Sequence, residues 1–329
     1  MEIRQIAGNT PSLINLEEVD IIPGPYCMSC GFDIKPLINS IKACGLINIP
    51  YVTRGKGGYL DIVIGYRRIM ALKTLGWQRI PCADLSDSGF STLELLILNL
   101  NDNLPTRTFN DAEKGMILKR LLDLQVPRKE IREHYMPLLN ISSTRDLEVL
   151  VRIEELNNSV KEYIANGAIP LKTAQLVLDL DIRSRPVILQ WISDLRFNFN
   201  QQLKFIEYIT DISIKEERSI AELMEESQFS NLSKDKGLNT PQKAKKMIDL
   251  LKSRRFPFLT SSEKAFAKNI AKLGLPETVR VKHPAFFEAP RYKLEIMFKN
   301  GKEIKEIIND LKHTEGLHRI GDPWDKENS

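Results

Sequence analysis

Cysteine is scarce: four residues in a chain of 329. That excludes a small disulfide scaffold as the source of the fold. Histidine is as rare, with His134, His283, His313 and His318 far from one another and from the cysteines. Long apolar runs are missing. The best, Leu93–Leu100, is far below the ~18–20 residues of a membrane span and ends in Asn101-Asp102-Asn103. The N-terminal Met1-Glu2-Ile3-Arg4-Gln5-Ile6 lacks the charged-then-apolar layout of a secretory signal, so a cytoplasmic protein with no membrane partner is expected. No solenoid-period repeat and no low-complexity tract occurs.

What is present is ordinary for a globular protein: 42% hydrophobic and 27% charged residues. At roughly 100–200 residues per domain, the length gives two or three domains. The net charge of +4 is small but unevenly placed. From Thr240 to the end there are 19 basic and 12 acidic residues, against 28 and 31 before it. A basic C-terminal third suits either a polyanion or a solvated lysine-rich surface.

The chain reads as mostly helical α+β. Its first dozen residues, with Gly8, Asn9, Pro11 and Ser12, form a lead-in. Residues 13–100 mix strands and helices in one compact α/β domain. Strand signals at Leu13–Leu16, Val19–Ile22, Ile49–Thr53, Tyr59–Ile64 and Ile80–Leu85 flank a helix opened by Phe32-Asp33-Ile34 and another over Arg67–Leu75. Gly55-Lys56-Gly57-Gly58 predicts a hairpin turn. Residues 101–226 carry helical periodicity without strands. Residues 227–240, rich in Ser, Asn, Lys, Asp and Gly, read as a linker. Residues 241–315 form a small α/β module: helices Pro241–Ser253 and Ser261–Leu273, the latter capped at Ser261 or Ser262, strands at Val279–Lys282 and Tyr292–Phe298, and a helix Glu303–Leu311. Pro284–Glu288 and Tyr292–Phe298 give it an aromatic cluster, suited to core, a second nucleic-acid contact or dimerisation. The tail Gly316–Ser329 reads as frayed.

Three stretches carry chemistry. In Ile64–Leu72 a strand runs into Gly65, and Arg67 and Arg68 follow Tyr66 at a helix start. Unpaired backbone N–H groups and two permanent cations there make a phosphate site, unless the arginines are merely solvated. In Asn101–Glu113, Asp102 and Asn103 offer oxygens suited to Mg²⁺, with Arg107 beyond, and Asn110 or Asp111 caps the next helix. In Val126–Val160, Pro127 opens a helix Arg128–Tyr135. A short turn then leads to Ser143, which caps a helix to Leu156 with Thr144 and Arg145 at its tip. That is a helix-turn-helix or a plain helical hairpin. Its five basic and six acidic residues from Pro127 to Asn157 leave a weak electrostatic footprint.

The order of these motifs resembles the ParB family of chromosome- and plasmid-partition proteins. Gly65-Tyr66-Arg67-Arg68-Ile69-Met70-Ala71 is similar to the family's Gly-Glu-Arg-Arg-x-x-Ala phosphate box. The segment from Ser40-Ile41 through Gly45-Leu46 to Pro50 resembles its Ser-Ile-x-x-x-Gly-Leu-x-x-Pro segment. Asp102-Asn103, followed by Glu113, resembles its Glu-Asn-x-x-Arg box. Residues 156–180, with Val160, Gly167 and Thr173-Ala174, match the central domain, and the likeness covers roughly residues 13–185.

The resemblance implies a ParB/sulfiredoxin-like α/β domain that binds CTP and Mg²⁺ and a helix-turn-helix domain that binds a palindromic DNA site. It also implies a nucleoid-associated homodimer acting with a ParA-type ATPase. By carry-over, Gly65, Tyr66, Arg67, Arg68 and Arg107 hold the triphosphate. Gly45, Leu46, Ile47 and Asn48 lie near the base. Asn103 faces Mg²⁺, and Asp102 stands at the position tied to CTP hydrolysis. Arg128, Lys129, Ser143, Thr144 and Arg145 approach DNA.

The chain departs from the pattern at four places. Ser29 replaces the arginine of the family's Pro-Arg-x-x-Phe-Asp box, and Tyr66 replaces a glutamate. Thr106 stands at the arginine of the third box with Arg107 one residue late, and Asp102 is one methylene shorter than glutamate. A lost arginine removes a charge-assisted contact of ~1.5–3 kcal/mol from a triphosphate pocket. Two alternatives therefore stand beside a CTP-dependent DNA clamp: a transcriptional regulator that has dropped CTP, and a phosphoryl-transfer enzyme on the same fold. Cys27-Met28-Ser29-Cys30 has the spacing of a metal or redox pair, with Cys44 and Cys82 as the remaining thiols.

Overall fold

The computed structural model describes residues 11–289 and 291–320. Gly8 and Asn9 of the lead-in, and the tail beyond Ile320, lie outside the described residues. The fold is α+β and mostly helical, in two compact units, residues 1–189 and 190–329.

The first unit begins with a five-stranded mixed sheet. Its strands are β1 (Ser12–Asn15), β2 (Val19–Asp20), β3 (Tyr51–Arg54), β4 (Leu60–Ile64) and β5 (Arg79–Asp84), ordered β1-β5-β3-β4-β2. β3 and β4 form the antiparallel hairpin that the glycines at 55–58 predict. Helices α1 (Lys35–Cys44) and α2 (Tyr66–Thr74) pack on this sheet, Ile41, Ile69 and Leu72 joining Val52, Ile62 and Ile80 in one apolar core. The first helix starts at Lys35, one residue after the predicted opening, because the Asp33 carboxylate accepts from the Lys35 N–H at 3.0 Å.

Helices α3 (Thr92–Asn103) and α4 (Asp111–Asp123) each start with a reciprocal capping box, Ser91 with Glu94 and Asn110 with Glu113. Next come α5 (Arg128–Glu130), a π-helical turn at Ile131–Tyr135, and α6 (Met136–Leu138). The π turn has a local cause. Pro137 has no N–H for the Glu133 carbonyl and its ring crowds that oxygen, and the Met136 N–H reaches back to the Ile131 carbonyl instead. Asn140, at φ +53°, makes the turn into α7 (Thr144–Arg152). α7 is shorter than expected: a 3₁₀ turn, Ile153–Glu155, replaces its last residues. α8 (Asn158–Ala165), α9 (Leu171–Leu178) and α10 (Ser184–Leu195) follow.

The second unit holds α11 (Phe199–Glu216), α12 (Ile220–Met224), α13 (Ser227–Lys234), α14 (Thr240–Arg255) and α15 (Pro257–Lys272). A hairpin of β6 (Val279–Lys282) and β7 (Lys293–Ile296) and a last helix, α16 (Gly301–His313), complete it. The stretch 227–240 is not a bare linker. Its polar residues lie on the outside of α13 while Phe229 and Leu232 are buried, so a two-residue apolar anchor outweighs the polar composition. α15 starts at Pro257 rather than at a serine cap, proline being well suited to the first helical turn, and Ser262 is buried inside it.

An ion-pair network ties α11, α14 and the turn before α13. Arg254 bonds Glu216 Oε1 at 2.7 Å and Glu226 Oε2 at 2.7 Å, and Arg218 also bonds Glu226. The Arg254 guanidinium, aided by Arg218 and Gln228 and opposed by burial, holds the Glu226 carboxyl down at about 2. A carboxyl depressed in the folded state contributes stability that is full above its unfolded pKa and is lost as pH falls through the folded one. The second unit should therefore lose stability between about pH 5 and pH 2. Thermal melts of Glu226→Gln and the parent should differ at neutral pH and converge at the acid end of that window. A constant difference throughout would rule this ion pair out as the cause.

Candidate functional site

Strand β4 delivers the chain to Gly65, which sits at φ +93° as the N-cap of α2 with no side chain capping the helix. Two facts require glycine. The left-handed conformation disfavours any Cβ, and a Cβ here would stand 3.2 Å from both Pro50 Cα and Arg68 Nε. The uncapped start leaves the N–H groups of Tyr66, Arg67 and Arg68 open at the positive end of the helix. They face a cleft of about 330 Å³ whose lining includes Ser29, Asn48, Arg67, Arg68, Asp102 and Arg107.

The cleft is organised by a residue the motif reading left out of the site. Glu113, in the first turn of α4, is 1% exposed. Its Oε1 accepts from Arg67 Nη2 at 2.7 Å, Arg107 Nη1 at 2.7 Å and the Cys30 N–H at 3.2 Å, while Oε2 accepts from the Asn110 N–H at 3.2 Å. One buried carboxylate thus holds two guanidiniums. Arg67 also donates to Ser29 Oγ at 3.2 Å and lies over the Phe32 ring, and Arg107 lies over Phe109. Ser29, at the position that aligns with the family's arginine, is thus an acceptor for Arg67. Burial pushes the Arg67 guanidinium below its ordinary range, the like charge of Arg107 adds to this, and Glu113 opposes it.

Arg68 fixes the other wall. Its Nη1 donates to the Asn48 and Ile49 carbonyls at 2.9 and 3.1 Å, and its Nη2 lies 3.6 Å from Asp102 Oδ2. Arg67, Arg68 and Arg107 therefore face Asp102 and Glu113, leaving one formal positive charge for an anion.

Arg107 reaches the cleft although it stands one residue late. The chain turns at the end of α3, and the Arg107 N–H bonds the Asn103 carbonyl at 3.1 Å. Its side chain donates to Asn103 Oδ1 at 2.7 Å and to the Met28 carbonyl at 2.6 Å. Asn103 in turn donates to the Asn99 carbonyl and Oδ1 at 2.9 and 2.7 Å. The side-chain oxygen of Asn103 points at a cation already supplied by the protein, so these residues as arranged do not fit a metal there. Thr106 lines the cleft too, its hydroxyl donating to the Asn103 carbonyl at 3.0 Å.

Of Gly45–Asn48, Asn48 lines the cleft. Gly45 ends α1 at φ +73°, Leu46 packs against the sheet core and Ile47 is 75% exposed. Tyr66 uses its hydroxyl on the Ile21 carbonyl at 3.2 Å. The cysteines do not form a reactive pair. Burial raises the Cys27 thiol, and burial with the Glu113 charge pushes Cys30 up to about 11, which is the wrong direction for thiolate chemistry. Among the described residues no group of three His, Cys, Asp or Glu could hold a metal ion.

The second candidate surface lies on the same unit. Ser143 caps α7 by accepting from the Asp146 N–H at 3.0 Å, leaving Thr144 and Arg145 exposed at the tip. With its amide oxygen toward Arg145, Gln175 of α9 accepts from Nη2 at 2.6 Å and holds the guanidinium. Arg128 and Lys129 are exposed at the start of α5. Ile131, Tyr135 and Leu139 of the first segment and its turn are buried, as are Leu147 and Leu150 of α7. α4 touches both: Glu113 holds two of the cleft's arginines, and two residues on, Gly115 lets α4 approach α7 so closely that a Cβ would lie 2.3 Å from the Leu150 carbonyl oxygen.

No protein-family model matches the chain. It is similar to the nucleoid occlusion protein of Bacillus cereus, at 26% identity over 231 residues, 67% of this chain and 70% of that protein. It is also similar to the probable chromosome-partitioning protein ParB of Chlamydia muridarum, at 26% identity over 189 residues, 54% and 62% of the two chains. Solved structures that it matches include C-terminally truncated ParB from Caulobacter crescentus complexed with CTP-gamma-S. That match has 20% identity and a TM-score of 0.26, over 54% of this chain and 96% of that one. The same protein complexed to the centromeric parS site matches at 16% identity and a TM-score of 0.29, over 58% and 96%.

Proposed function

Because this chain belongs to the ParB family, we propose that it is a DNA-binding partition protein whose first unit senses CTP. What supports this reading is one compact unit that holds both an arginine-lined cleft at an uncapped helix start and two helical segments joined by a short turn, with α4 holding the cleft's arginines through Glu113 and packed closely on α7. In this proposal a homodimer reads a palindromic site with Thr144 and Arg145 at the tip of α7, Arg128 and Lys129 meeting the backbone. The triphosphate lies on the N–H groups after Gly65, with Arg67, Arg68 and Arg107 around it. The nucleotide acts as a switch only to the extent that it prefers one conformer of the unit. A ParA-type ATPase is the proposed partner in segregation.

A second reading keeps DNA binding and drops the nucleotide. Ser29 in place of an arginine favours it, because the cleft then has one cation fewer.

Equilibrium binding of labelled CTP, against ATP, GTP and UTP, decides between them. Arg67→Ala/Arg68→Ala should weaken CTP binding by about 100-fold or more, two charge-assisted contacts being lost together. Arg145→Ala should weaken DNA binding and leave CTP affinity unchanged. If no nucleotide binds, with or without DNA fragments present, the switch is refuted and the regulator reading stands.

A further inference from the structure

We propose that the cleft binds its nucleotide without a divalent cation, the Arg107 guanidinium already occupying the Asn103 side-chain oxygen that a metal would need. This rests on the nucleotide reading above.

The argument begins with the one oxygen that Asn103 can offer. Its amide cannot turn over. Nδ2 already donates to two oxygens of Asn99, at 2.9 and 2.7 Å, and a flip would set oxygen against oxygen there and N–H against N–H at Arg107. Oδ1 therefore stays aimed at Arg107 Nε, 2.7 Å away. Mg²⁺ binds oxygen at about 2.0–2.1 Å and demands near-ideal octahedral geometry. A metal on this oxygen would share it with a guanidinium, and the two cations would repel.

Arg107 is not free to withdraw. Glu113 Oε1 at 2.7 Å, the Met28 carbonyl at 2.6 Å and the Phe109 ring hold it from three further directions. The two carboxylates nearby also face arginines. Both oxygens of Glu113 accept from protein donors, and Asp102 faces Arg68 at 3.6 Å. What a metal supplies to a phosphate, local positive charge at a fixed point, the guanidinium supplies here with oriented donors besides. Each of its terminal nitrogens has one N–H engaged in the contacts above and a second left for the cleft it lines.

The test is CTP binding to the full chain by equilibrium dialysis, in Mg²⁺ and in EDTA. The dissociation constants should agree within about twofold. Arg107→Gln, checked by its melting curve, should make binding depend on Mg²⁺ by freeing the Asn103 oxygen. A loss of about tenfold or more in EDTA for the parent protein overturns the inference while leaving the nucleotide reading intact. Absence of binding in both buffers refutes the nucleotide reading itself, and this inference with it. Should Arg107→Gln fail to fold, the two buffers on the parent protein still decide.

Discussion

Glu113→Ala is expected to cost the first unit about 3–5 kcal/mol, the usual penalty for breaking a buried ion pair by removing one partner. The side chain is buried and accepts from two guanidiniums and two backbone N–H groups. Its removal leaves Arg67 and Arg107 facing each other with no counter-charge, and it strips the capping box from α4. Against a total domain stability of about 5–15 kcal/mol, that is a large fraction. Glu113→Gln should lie between, since the shape survives while the charge is lost and one of its two terminal atoms becomes a donor pointed at the Cys30 or Asn110 N–H. A second effect separates this account from simple loss of packing. In Glu113→Ala the two arginines become an anion site, so phosphate or sulfate should stabilise the variant more than the parent. Urea unfolding with hydrogen exchange read at α3 and α4 measures both. A loss below about 1 kcal/mol with no anion dependence would mean that the arginines find other partners, and the central role of Glu113 would fall.

That role shows why only part of the site was legible in the sequence. The cations were visible because glycine followed by two arginines at a strand-to-helix junction has a local meaning. Arg107 was visible as a residue near a motif, although the helix end that swings it into the cleft was not. Glu113 was legible only as half of a cap: Asn110-x-x-Glu113 is a local signature, and that role is real. Its second role depends on Arg67, 46 residues earlier in the chain. No periodicity carries that pairing. The same limit explains Mg²⁺. Asp102-Asn103 has suitable oxygens in sequence, and only three-dimensional placement reveals that Arg107 claims the one on Asn103.

The fold followed a similar division. The hairpin at residues 51–64, the Asn110 cap of α4 and the helical segments on either side of the turn before Ser143 were readable from turn residues, caps and apolar spacing. α13 was not, because a window of Ser, Asn, Lys and Asp hides two residues that are decisive once buried, Phe229 and Leu232. Composition averages over a window, whereas burial acts on single side chains. The π turn at Ile131–Tyr135 was hidden too, because that stretch reads as part of an ordinary helix over Arg128–Tyr135.

Gly115→Ala is the most economical test of whether the cleft and α7, the helix proposed to read DNA, are mechanically joined. In an isolated helix the change would stabilise by about 1 kcal/mol, since alanine is the better helix former. Here the new Cβ would meet the Leu150 carbonyl oxygen at 2.3 Å and the Leu150 carbonyl carbon at 3.2 Å. Both are backbone atoms, so no rotamer relieves the contact, and α4 and α7 must move apart. Overpacking of this kind costs about 1–3 kcal/mol. The net change should therefore be a lower melting temperature, the reverse of the propensity expectation. The displacement also reaches function. α7 carries Thr144 and Arg145 at its start, so DNA affinity should fall further than the lost folded fraction accounts for, while CTP binding at Gly65 and Arg68 should be affected less. The nucleotide's effect on DNA binding should weaken most, because Glu113 and Gly115 share one turn of α4 and the contact at Gly115 is where that turn meets α7. A Gly115→Ala protein that melts as high as its parent and binds DNA as tightly would show that the two helices can separate freely. The route from cleft to DNA would then have to run elsewhere.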